Sequence, residues 1–70
     1  MEVYVFKTAV KFKKQIKIIA YELNKINEIQ NWNFDLEDCD KILRIESRKN
    51  ISLLTCELLN KLGHHCEELI

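Results

Sequence analysis

The run His64-His65-Cys66 concentrates side chains able to ligate a metal or move a proton, and it opens the question of chemistry in this chain. Imidazole and thiolate suit borderline and soft ions such as Zn²⁺ and Cu(I). A strand through these residues sends His65 to one face and His64 and Cys66 to the other, so His64 and Cys66 are the pair able to share an ion. The plainer reading of the same run is a solvated histidine turn. Asp35, Glu37, Asp38 and Asp40 offer hard oxygen ligands for Ca²⁺ or Mg²⁺, yet they lack the glycine and the loop spacing of an EF-hand and read as a solvated turn. Cys39, set among these carboxylates, is a poor candidate for a nucleophilic thiolate, and Cys56 reads as a small packing residue within a helix. No Ser-His-Asp or Cys-His arrangement emerges, and the expectation is a protein that is not an enzyme.

A third group has a different chemistry. Lys11, Lys13 and Lys14 open a predicted helix, where positive charge opposes the helix dipole while the exposed amide groups favour an anion. Lysines placed against that local preference fit an acidic protein surface or a phosphate group, and otherwise form a solvated helix face. Nucleic acid is a poor fit. Formal charge is zero, and the aromatic-plus-glycine motifs of an RNA-recognition sheet are absent, although Tyr4 and Phe6 share one strand.

The elements that must position these groups follow from periodicity. Residues 3–8 alternate with large β-favouring side chains, Val3 and Val5 on one face and Tyr4 and Phe6 on the other, so this strand is expected at the centre of a sheet. Over residues 10–26, Phe12, Ile16, Ile19, Leu23 and Ile26 form one apolar stripe at helical spacing. Trp32, Phe34 and Leu36 alternate as a half-buried strand, the acidic residues 37–40 turn the chain, and residues 42–46 return it. The Trp32-Phe34-Leu36 face is expected beneath the helices. A second helix, capped by Asn50 or Ser52, carries Leu54, Leu58 and Leu62, reinforced by Ile51, Thr55 and Leu59, and Gly63 ends it. Residues 64–70 suffice for a last short strand.

The order is βαββαβ, which with right-handed crossovers gives an α+β, ferredoxin-like layer of two helices packed on a four-stranded antiparallel sheet. In that topology the end of the first strand, the acidic hairpin and the Gly63 turn lie at one end of the domain.

Residues 1–70 are expected to form one domain. A chain of this size buries only about 60% of its unfolded surface, which leaves little room for a deep pocket. The apolar fraction of 47%, with no proline and one glycine, fits a packed core. Charge is locally separated: residues 7–17 hold five lysines and no acid, and residues 28–40 hold five acids and no base. That separation, with apolar residues on both faces of the first strand, favours self-association as a twofold dimer. Three cysteines without a CxxC pair argue against a disulfide framework and for a reducing, cytoplasmic setting. No basic leader precedes an apolar run, and no membrane span is expected.

The opening strand Val3-Tyr4-Val5-Phe6, the helix end Leu23-Asn24-Lys25-Ile26, the hairpin from Phe34-Asp35-Leu36 to Ile42-Leu43-Arg44-Ile45, and the terminal Leu58-Leu59-Asn60-Lys61-Leu62-Gly63 together resemble a heavy-metal-associated, copper-chaperone-like domain. The resemblance runs over nearly the whole chain and implies the ferredoxin-like fold. That family carries Met-x-Cys-x-x-Cys just after the first strand. Here the segment is Lys7-Thr8-Ala9-Val10-Lys11-Phe12-Lys13-Lys14-Gln15, which puts Ala9 and Phe12, or Phe12 and Gln15, at the thiolate places. Soft ions need thiolate or thioether donors, and the lysines repel a cation. What the resemblance implies is a non-enzymatic binding module whose thiolate site is lost, with no cofactor, using Lys11, Lys13 and Lys14 against an acidic partner. It also implies that His64 faces the former metal loop, so that the alternative is residual Zn or Cu binding by His64 and Cys66.

Overall fold

Alternation in the first residues produces β1 (Glu2–Thr8) in the computed structural model, which describes residues 1–37 and 39–69. The chain continues through α1 (Lys13–Leu23), β2 (Ile29–Asp35), β3 (Ile42–Ser47), α2 (Ser52–Lys61) and β4 (Cys66–Leu69). The sheet order is β2-β3-β1-β4 with every neighbouring pair antiparallel. This is the expected ferredoxin-like arrangement, and β1 is central, as its two apolar faces required. Among the described residues no helix is long and apolar enough to cross a membrane.

One face of the sheet builds the core. Tyr4, Phe6, Leu43 and Ile45 pack with Ile19 and Leu23 of α1, Leu59 of α2 and the flanking Val10 and Ile51. Phe6, Ile19, Leu23, Leu43, Ile45 and Leu59 are fully buried, and each such side chain contributes about 1.5–3 kcal/mol relative to exposure. Trp32, Phe34 and Leu36 pack partly buried against this cluster, beneath the helices as expected. Trp32 Nε1 donates to Asn24 Oδ1 at 3.0 Å, and its ring meets Phe34 edge-on at 6.1 Å. β2 starts earlier than the alternation of its large residues implied, at Ile29, because an irregularity between Ile29 and Asn31 absorbs a register shift.

Both helices differ from the sequence expectation in which side chains they bury. α1 begins at Lys13 rather than Val10, and Phe12 is its extended N-cap, 58% exposed instead of part of the core stripe. Gln15 explains the later start. Its Oε1 accepts from the backbone N–H groups of both Lys11 and Phe12, satisfying donors just ahead of the first turn. Val10 is buried in place of Phe12. In α2 the buried residues are Thr55 and Leu59, joined by Ile51 at the N-cap, while Leu54 is 48% exposed. Ile51, Thr55, Leu58, Leu59 and Leu62 occupy one arc of the helix, and Leu54 stands on its flank.

The N-cap of α2 is Ile51, without a side-chain cap bond, and not Asn50 or Ser52; Asn50, one residue earlier, accepts from Ser52 N–H through Oδ1. The other end agrees with its residue type. Gly63 adopts φ +88°. His64 N–H then reaches Leu59 O and Gly63 N–H reaches Asn60 O, the paired bonds of a Schellman turn.

Candidate functional site

The register brings three segments to one end of the domain. Lys7 lies opposite Ile42, and Thr8 lies opposite Cys66, so the end of β1 meets the starts of β3 and β4. Thr8 ties them together. Its N–H donates to Asp40 O, its hydroxyl donates to Lys41 O at 2.6 Å and accepts from Val10 N–H, and Ala9 N–H donates to His65 O. Lys7 and Asp40 add an ion pair of 3.8 Å across the same junction. The convergence expected from strand direction is therefore present, held by backbone bonds and by the Thr8 hydroxyl together.

The lysines sit on the chain leaving this junction. Lys11, Lys13 and Lys14 are exposed, and among the described residues no carboxylate lies within ion-pair distance of them. Lys13 and Lys14 occupy the first turn of α1, which holds no acid. Phe12 stands exposed between them and Lys11. Further along the outer side of α1, Ile18 is 59% and Tyr21 66% exposed. Lys25 Nζ lies 4.3 Å from the centre of the Tyr21 ring and 3.4 Å from Glu22 Oε2. An open groove of about 480 Å³ runs from Lys13 and Ile16 to Phe34, Leu36, Glu37 and Arg44, beside the free edge of β2. Its lining mixes apolar side chains such as Ile16, Phe34 and Leu36 with charged ones of both signs.

The histidine-cysteine run is arranged differently. His64 is half-buried after the turn glycine, and His65 Nε2 lies 4.0 Å from Glu67 Oε1 on the exposed side. Cys66 is buried, and its Sγ lies 3.4 Å from Cys56 Sγ. Burial, with the Cys56 thiol beside it, pushes the Cys66 thiol well above the ordinary cysteine range. Among the described residues no group of three or more His, Cys, Asp or Glu is placed to hold a metal ion. In the acidic hairpin Asp35 Oδ1 accepts from Glu37 N–H, and Cys39 is exposed; Asp38 lies outside the described residues.

The remaining face of the sheet is mixed. The registers align Asn33, Arg44, Val5 and Leu69 in one row and Asp35, Ile42, Lys7 and Glu67 in the next. Val3, Val5, Ile42 and Leu69 thus leave apolar area between charges rather than one continuous apolar sheet.

Sequence reasoning missed two features. The first is the exposed apolar set Phe12, Ile18 and Tyr21. Ile18 and Tyr21 were legible, since neither fits the stripe of Ile16, Ile19 and Leu23, whereas Phe12 fits it and is removed only by the position of the cap. The second is the Cys56–Cys66 contact, which joins a helix to a strand and leaves no trace in local spacing. No protein-family profile and no curated protein matches the chain; its fold is ferredoxin-like, and no family-level finding ties it to heavy-metal-associated domains.

Proposed function

We propose that this chain is a small, non-catalytic binding module that recognises an acidic protein surface through Lys11, Lys13 and Lys14, with Phe12 as its apolar anchor. The observation that carries the reading is the placement of Phe12, 58% exposed among three lysines that have no carboxylate partner among the described residues. An exposed aromatic side chain can anchor an interface, and the exposed lysines beside it in the chain suit a charged, solvent-accessible rim. The lysines steer an acidic partner and set orientation, while Phe12 and the groove beside Lys13 supply area to bury. A metal role for His64 and Cys66 is the weaker reading, because the Cys66 thiol is buried against Cys56 and held protonated there.

The test uses a short synthetic peptide alternating Glu with Leu, followed by fluorescence anisotropy at low and high salt. Binding is expected to weaken steeply with salt and to be lost in the double variant Lys13→Glu, Lys14→Glu. Phe12→Ala should weaken it by about tenfold, the scale of one interface anchor, without changing the thermal midpoint. No binding, or binding indifferent to the charge reversal, refutes the proposal.

A further inference from the structure

We infer that Cys56 and Cys66 are a modification site, a dithiol that a peroxide closes to an intramolecular disulfide between α2 and β4. The two sulfurs are 3.4 Å apart with both thiols free, and a disulfide needs about 2.05 Å. The gap closes by small side-chain rotations because α2 and β4 already pack together around the Gly63 turn. Three cysteines exclude a fully paired framework, and a pair that opens and closes suits reducing surroundings, where lasting disulfides are uncommon.

The two thiols are not equivalent. Cys56 is half-buried and within reach of solvent, whereas Cys66 is buried. Cys56 therefore meets the oxidant. Its thiolate attacks one peroxide oxygen; the S–O bond forms, the O–O bond breaks, and hydroxide leaves to take up a proton as water. The Cys66 sulfur then attacks the sulfenic sulfur of Cys56. The S–S bond forms, the S–O bond breaks, and the hydroxyl departs with the Cys66 proton as a second water. Two thiols lose two electrons, and the peroxide gains them. Exchange with a reducing dithiol reverses the step.

Closure fastens the turn holding Gly63, His64 and His65 at both ends. Cys66 lies opposite Thr8, so the bond also fastens the strand start that abuts the end of β1. This effect is independent of the recognition proposed for Lys11, Lys13 and Lys14.

The experiment treats the reduced full chain with hydrogen peroxide, blocks remaining thiols with iodoacetamide under denaturing conditions, and maps tryptic peptides by mass spectrometry. Residues 50–61 should appear joined to residues 62–70 with the loss of two hydrogens, while residues 26–41, which carry Cys39, stay outside the link. Dithiothreitol should separate the pair, and the oxidised chain should melt at a higher temperature than the reduced one. In a Cys66→Ala variant, dimedone should trap the sulfenic acid on Cys56. Recovery of residues 50–61 and 62–70 as separate peptides from the oxidised wild-type chain overturns the inference, as does a cross-link that runs through Cys39. The wild-type map decides the question even if the variant fails to fold.

Discussion

Lys7 Nζ lies 3.8 Å from Asp40 Oδ1, so the lysine-rich and the acid-rich segments meet within a single chain. That contact bears on how copies of the chain meet one another. Separated charges of equal number suggest a dimer in which each basic segment faces the partner's acidic hairpin, but here Lys7 and Asp40 are already engaged internally. Exposed ion pairs contribute only about 0–1 kcal/mol. Lys7→Gln is therefore expected to shift stability by less than about 1 kcal/mol, and the mass found by sedimentation equilibrium is expected to be the same at low and high salt. Association that strengthens at low salt and disappears in Lys7→Gln would instead support the charge-paired dimer.

Leu59 and Leu54 separate two descriptions of α2. Leu59 is fully buried in the core, and Leu54 is 48% exposed. Leu59→Ala should cost about 2–5 kcal/mol through lost transfer energy and the cavity left behind. Leu54→Ala should stay within about 0.5 kcal/mol, as surface changes do. Urea denaturation of the two variants measures both. Equal losses would return Leu54 to the core stripe.

These helices also show how far the sequence reaches. Strand order and the central place of β1 were legible because alternation is a strict period of two and Tyr4, Phe6, Val3 and Val5 are apolar on both faces. Helix rotation was harder to read. Leucines at 53, 54, 58, 59 and 62 allow more than one apolar arc, and the choice falls to which arc meets Ile45 and Phe6 across the interior. The first helix was misread at its start for a local reason, since Gln15 caps Lys11 and Phe12 and puts Phe12 outside the helical frame. Of the candidate site, the lysines were visible as a charge run and their convergence with the hairpin followed from topology. The exposure of Phe12 turns on where Gln15 sets the helix start, and the meeting of Cys56 with Cys66 depends on tertiary packing.

Thr55 carries a cost that its position makes testable. It is fully buried, and among the described residues its hydroxyl has no hydrogen-bond partner. An unsatisfied buried polar group costs about 1–3 kcal/mol, while an apolar replacement of the same shape removes that penalty. Thr55→Val should raise the urea midpoint, a gain in stability of up to about 1 kcal/mol once the altered contacts are counted. A lowered midpoint would mean that the hydroxyl is paired in solution.

The Tyr4 hydroxyl donates to Glu2 Oε2 at 2.6 Å, and that bond governs how the fold responds to alkali. The hydrogen bond to the Glu2 carboxylate is the main cause, and burial the next, of a phenol pushed up from 10.0 to about 12. Ionising the phenol breaks the bond and sets two negative oxygens against each other. Because the folded value lies above the unfolded one, the contribution to stability is whole below the unfolded value and is lost as pH rises through the folded value of about 12. Stability should therefore fall between these limits, and less steeply in Glu2→Gln, whose neutral amide removes the charge that opposes the phenolate. Phenolate absorbance supplies the direct measurement: wild type should show a late-ionising tyrosine, Tyr4→Phe should lack it, and Glu2→Gln should shift it to lower pH. An unshifted step in Glu2→Gln would assign the raised value to burial and the Glu68 charge, and remove Glu2 from the alkaline limit of the fold.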